Sequence, residues 1–193
     1  MAIHHFPFAQ ATFLEHAGLG GRGGVCLELC RRWVKMRMPG DLACEELQQI
    51  VTMPGTAQDV FNAQKAEPWS RQISGLDIEK TKQRYNLPGW FTVKNLRSRN
   101  AAITYVLTHP GLYIHGVASS QAGHAFAFDS RQTGLLLFFD ANHGSWEFRG
   151  EPDSAIVAWW HDFWEGNAEN TRVNYKTLMT KGLRELSRYQ LAA

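Results

Sequence analysis

The sequence predicts an α+β fold, with helices in its first half, an antiparallel sheet after them and helices again at the end. Three observations carry that expectation. Cys26, Leu29, Cys30, Trp33 and Val34 fall at the spacing of one helical stripe. Residues 111–150 break into short aromatic and β-branched runs separated by turn residues, the texture of antiparallel strands. Residues 155–164, AIVAWWHDFW, then return to a helical texture. Strands grouped between helices, rather than alternating with them, point to an α+β unit.

The elements follow in order. Residues 1–17 are mixed and are expected to form an N-terminal arm, with a single domain over 18–193. Gly18 to Gly24 makes a flexible turn ahead of the first helix. That helix starts at Cys26, carries Arg31, Arg32 and Lys35 on its outer side, and stops before Pro39-Gly40. Further helices are expected over 41–53 and 56–66, divided by Met53-Pro54-Gly55, and another over 93–108, ending before Pro110. Four strands follow, in 111–119, 123–129, 134–140 and 144–150. Ser130 to Gly134 suits a hairpin loop of about five residues. The last helices are expected at Ala155 to Trp164, packed on the sheet through its tryptophans, and at Tyr175 to Leu191.

Bulk properties exclude several classes. The chain of 193 residues is 44% hydrophobic, enough for a core. Its 20 basic and 18 acidic residues give a formal charge of +2, too balanced to point to nucleic acid or a membrane surface. The N-terminus lacks the basic and apolar regions of a secretory signal, and no run of about 18 apolar residues suggests a membrane span. Ala2 stands where myristoylation needs glycine, and the terminal QLAA has no prenylation cysteine. Cys26, Cys30 and Cys44 are an odd, sparse set, so reduced thiols are expected. No second Cys/His pair at ligand spacing follows Cys26 and Cys30, so no metal centre is expected. The glycine-rich run lacks the Gly-Lys-Ser/Thr ending of a phosphate loop.

Three residues carry candidate chemistry. Cys26 begins a helix, where the dipole and unpaired N–H groups favour thiolate over thiol. Cys30, in mid-stripe, has neither advantage. His124 opens the alternating run Gly123 to Asp129, with Phe126 and Phe128 on its own face and alanines on the other. A hairpin loop centred on Gln132 sets Asp140 directly opposite His124, where a carboxylate fixes the imidazole tautomer and stabilises an imidazolium. Singly, Cys26 is read as a buried hydrophobe, His124 as a strand-edge residue and Asp140 as a turn residue. In this order and spacing they read as a site. His115 and His143 are candidates for lining a cleft, Asn142 for shaping the turn after Asp140, and Trp159, Trp160 and Trp164 for the core or an interface rather than a ligand cage.

These motifs resemble those of the YopT/AvrPphB-type cysteine peptidases, bacterial effectors with a papain-like fold. GGVCLELCRRW, residues 23–33, is similar to the family's cysteine block with its tryptophan seven residues on. GHAFAF, residues 123–128, is similar to its histidine block, and FFDANHGSWEF, residues 138–148, to its Asp-x-Asn-x-Gly block. The resemblance implies a papain-like α+β fold with Cys26 as nucleophile, His124 as general base and Asp140 as its orienting partner. Related enzymes place a polar side chain shortly before the cysteine to help hold the oxyanion. Residues 20–24 are Gly-Gly-Arg-Gly-Gly, where the family's side-chain donor is missing, which leaves backbone N–H groups, including that of Cys26.

By the same resemblance the chain is a thiol endopeptidase needing no cofactor, secreted by a specialised bacterial system without a cleaved signal peptide. It would act on protein substrates such as a host GTPase or kinase in host or target-cell cytoplasm, with a chaperone as a further partner. Two other readings stand beside it. One is an amidase, deamidase or acyltransferase toxin using the same trio and paired with an immunity protein. The other is a binding module that retains the fold without catalysis.

Overall fold

A computed structural model describes residues 1–21, 24–38, 56–66, 90–93, 98–118, 123–178 and 183–189. The elements among them are β1 (Ile3–Pro7), α1 (Gln10–His16), α2 (Cys26–Arg37), α3 (Thr56–Ala66), β2 (Trp90–Val93) and α4 (Arg99–Thr108). After these come β3 (Leu112–Ala118), β4 (Gly123–Asp129), β5 (Leu135–Asp140), β6 (Gly144–Arg149), α5 (Asp153–Glu165), α6 (Tyr175–Leu178) and β7 (Leu183–Tyr189). The described strands form one sheet in the order β1-β6-β5-β4-β3-β7-β2. Every neighbouring pair is antiparallel.

Alternation along the central strands sorts the core into two layers. Ile114, Ala125, Ala127, Leu137 and Phe139 join Leu29, Cys30, Trp33 and Val34 on the α2 side. Tyr113, Phe126, Phe128, Phe138 and Trp146 join Ile156, Trp160, Phe163 and Trp164 on the α5 side. The small residues of β4 therefore face α2, so the helix backbone lies close to the strand, while its bulky residues fill the aromatic side. Trp33 stacks on Phe139 at 6.0 Å, and Phe163 meets Phe138 edge-on at 5.0 Å.

Helix α2 runs along β4, and the two match in length. Eleven rises of about 1.5 Å and five of about 3.4 Å each give about 17 Å, so Cys26 at one end of the helix meets His124, and Arg37 at the other end meets Asp129. Arg37 Nε donates to Asp129 Oδ2 at 3.1 Å. Arg131 donates to both Asp129 oxygens and, at 2.6 Å, to the Arg37 carbonyl. Burial pushes the Asp129 carboxyl up, but Arg131 foremost and then Arg37 bring it below its ordinary value.

Several expectations are corrected. Residues 3–16, within the expected N-terminal arm, pack on the rest of the fold: β1 is an edge strand on β6, and Phe8, Phe13 and Leu14 are buried in the α2-side core. Arg31 is buried and paired with Glu28 rather than exposed, and Gln64 of α3 accepts from Glu28 N–H on the same helix. The helix expected over 93–108 begins at Arg99, where the Ser98 hydroxyl caps it by accepting from Ala101 N–H at 3.1 Å; Val93 belongs to β2. The helix expected from Tyr175 to Leu191 is one turn, after which β7 pairs with β3 and β2. Leu183 and Leu186 fit a helical stripe, yet backbone pairing with the edge of β3 decides the conformation. The helix expected over 41–53, and Cys44 within it, lie outside the described residues.

Gly144 shows why the sheet needs glycine at the start of β6. Its φ of 103° is a conformation that side chains resist, and a Cβ there would run into the carbonyl of Phe6 on β1. Gly144→Ala is expected to cost on the order of 3 kcal/mol. A urea titration checks this, and an unchanged midpoint would contradict the tight β1–β6 approach.

Candidate active site

The start of α2 is held by side chains from outside the helix. Val25 N–H donates to Gln10 Oε1 at 2.7 Å and Glu28 N–H donates to Gln64 Oε1 at 3.1 Å, so α1 and α3 satisfy two N–H groups that a helix start leaves unpaired. Cys26 is the first residue of this helix and only 2% exposed. Its sulphur lies close enough to His124 to help raise the imidazole pKa. Cys30, one turn on, is different: burial foremost, then the charges of Cys26 and Asp140, push its thiol well above the ordinary value.

His124 lies at the end of β4 where the two core layers meet. Its Nε2 donates to Asp140 Oδ1 at 2.6 Å, which leaves Nδ1 for the Cys26 sulphur. Tyr175 stacks on the ring at 4.8 Å and Phe126 meets it edge-on at 4.7 Å. Burial alone would lower the imidazole pKa. The negative charges and hydrogen bonds of Asp140 and Cys26 outweigh burial and raise it from 6.5 to about 10.

Asp140 is fully buried. His124 Nε2 and, at 3.2 Å, Asn142 N–H donate to its Oδ1. Tyr175 Oη–H donates to Oδ2 at 2.7 Å, beside His143 Nδ1–H on the same oxygen. Burial would raise this carboxyl, but the charge of His124 and the hydrogen bonds of His124 and His143 hold it well below the usual carboxylate range. Burial and the Asp140 charge push the Tyr175 phenol well above 10, so it remains a donor. His143 Nε2 accepts from Arg172 N–H at 2.8 Å, which assigns its proton to Nδ1.

The structure thus brings Cys26, His124 and Asp140 together, but by a different register. Phe126, not His124, is directly opposite Asp140. The pairing is centred one position later than the loop length implied, because Leu135 and Leu136 extend β5 along β6 before its pairing with β4 begins at Leu137. That shift preserves the alternation, so His124 stays on the face of Asp140 and reaches it diagonally.

His115 and His143 are both buried and line no cleft: His115 stacks on Phe126 in the aromatic core, and His143 holds Asp140. Gln10, Gln64 and Tyr175 were not legible as site residues. Each arrives from an element distant in sequence, and no local motif marks it. Among the described residues, no group of three His, Cys, Asp or Glu side chains is placed to hold a metal ion, and no helix is long and apolar enough to cross a membrane.

The charged pair has a pH signature. The raised His124 pKa contributes stability that is full below 6.5 and lost as pH rises through about 10, whereas the lowered Asp140 pKa contributes stability that is full above 3.8 and lost on acidification. Asp140→Asn is therefore expected to destabilise the chain by about 3 kcal/mol at pH 5–6. The gap to wild type should narrow towards pH 10. Denaturant midpoints across pH test this, and a pH-independent gap would be inconsistent with the pair.

No protein-family model matches the chain, and no curated protein matches it in sequence. Among solved structures it is similar to the crystal structure of the Pseudomonas avirulence protein AvrPphB, with a TM-score of 0.52 and 13% identity, covering 84% of this chain and 90% of that one. At that identity the likeness is one of fold. The chain has the papain-like α+β fold of AvrPphB, the class that its sequence predicted.

Proposed function

We propose that this chain is a papain-like cysteine peptidase in which Cys26 is the nucleophile, His124 the general acid and base, and Asp140 the residue that orients and charges the histidine. The observation that carries this reading is the continuous line from a helix-start sulphur, through a buried imidazole, to a buried carboxylate. In the reaction, the Cys26 sulphur bonds to a peptide carbonyl carbon and the carbonyl electron pair moves to oxygen. The N–H groups at the α2 start that Gln10 and Gln64 do not take, that of Cys26 included, receive the oxyanion. His124 then passes its Nδ1 proton to the departing amine as the C–N bond breaks. Water, deprotonated by the same nitrogen, attacks the thioester, releasing a carboxylate product and the free sulphur.

Fold likeness to an avirulence protein supports an effector role with protein substrates. Delivery by a bacterial secretion system into a host cell extends that reading, and a GTPase or kinase substrate is its proposed target class.

Thiol-probe labelling at neutral pH, read by mass spectrometry, tests the trio. Cys26 should label fast in wild type, and His124→Ala and Asp140→Ala should slow it by about a hundredfold or more. Cys30 should stay unlabelled in the folded protein. Equal, slow labelling of all three cysteines in every variant would sink the proposal.

A further inference from the structure

Cys26 and Asp140 lie more than a hundred residues apart in the chain, and a hydrogen-bonded chain runs between their neighbourhoods through Gln10. The Gln10 side chain accepts from Val25 N–H at 2.7 Å through Oε1 and donates to Asn142 Oδ1 at 2.6 Å through Nε2. Asn142 donates from its backbone to Asp140 Oδ1 and from Nδ2 to Tyr175 Oη at 2.8 Å. Tyr175 in turn donates to Asp140 Oδ2. The residue immediately before the nucleophile is thereby linked to both oxygens of the carboxylate that holds His124.

Three further features mark Gln10 as built into this place. Its backbone N–H donates to Ala141 O at 2.8 Å, so both its main chain and its side chain are fastened to the turn after Asp140. The residue is only 9% exposed. A Cβ on Gly24 would stand 3.1 Å from Gln10 Oε1 and 3.5 Å from Nε2, so glycine two residues before Cys26 leaves room for the carboxamide. The far end of α2 is tied to β4 through Arg37 and Asp129. At the Cys26 end, Gln10 supplies the corresponding tie.

We infer that Gln10 is a positioning residue for the Cys26–His124 pair: its carboxamide sets where the start of α2 stands relative to the Asp140 turn. The inference rests on the thiol-peptidase reading. Without the tie, the sulphur keeps its helix but loses its alignment with Nδ1, and small misplacements of reacting groups are costly to rate.

The test measures the alkylation rate of Cys26 by iodoacetamide from pH 5 to 10, with urea midpoints measured in parallel. The proteins are wild type, His124→Ala, Gln10→Leu, Asn142→Ala, the Gln10→Leu/Asn142→Ala double variant, and Gly24→Ala. Gln10→Leu keeps the volume and removes both bonds. Gly24→Ala crowds the carboxamide while leaving Gln10 in place, which provides a second variant if the first fails to fold. Each is expected to slow labelling at pH 7 by about tenfold or more and to shift the pH profile towards that of His124→Ala. The double variant should be no slower than the slower single, because both substitutions cut one chain. Wild-type rate and profile in Gln10→Leu or Gly24→Ala, with at most a lower urea midpoint, would overturn the inference, as would fully additive losses in the double variant. Equal labelling of wild type and His124→Ala would overturn the peptidase reading itself and this role with it. A fast wild type beside a slow His124→Ala, with Gln10→Leu as fast as wild type, would remove only the role of Gln10.

Discussion

A carboxylate taken fully out of water has to be met by donors and positive charge, because an unpaired buried anion costs several kcal/mol or more. Asp140 is met by four donors, which commit three different parts of the chain. His124 brings the end of β4, Asn142 and His143 fix the turn into β6, and Tyr175 draws in the segment after α5. The demand spreads outward from there. His143 needs an N–H donor for its other nitrogen and takes that of Arg172, while the His143 carbonyl accepts from His4 of β1 at 2.8 Å. Satisfying a single anion thus draws both ends of the described chain onto one end of the sheet.

The second constraint is the seating of α2. Ala125 and Ala127 let the helix lie close, the matched lengths of helix and strand put Cys26 at the His124 end, and the Arg37–Asp129–Arg131 cluster fixes the opposite end. Gln64 and Gln10 then occupy N–H groups at the helix start. The dipole that favours a thiolate is therefore presented by a helix held at both of its termini.

Local pattern made much of this legible. The stripe from Cys26 to Val34 is legible from periodicity and the four strand runs between 111 and 150 from their aromatic and β-branched texture and turn residues, and the Cys, His and Asp candidates come with them. The shared face of His124 and Asp140 survived a wrong register because side-chain alternation depends only on odd and even positions. What local pattern did not carry was partnership at a distance. The run Leu183–Tyr189 has no strand signal strong enough to outweigh its helical spacing, and pairing with β3 and β2 makes it a strand. The burial of Arg31 leaves no trace in the helical stripe, and Gln10 reaches the site only because β1 and α1 fold back onto the turn after Asp140.

The place of β7 in the sheet has a consequence for how the chain is made. This strand lies between β3 and β2, yet it is synthesised about 65 residues after β3, an interval of roughly 3 to 13 s at translation speeds of about 5–20 residues per second. Until β7 is made, β3 lacks its partner on the side away from β4, and its N–H and C=O groups there are open to pairing with any extended segment nearby. Folding yield, more than final stability, should therefore respond to changes in β7.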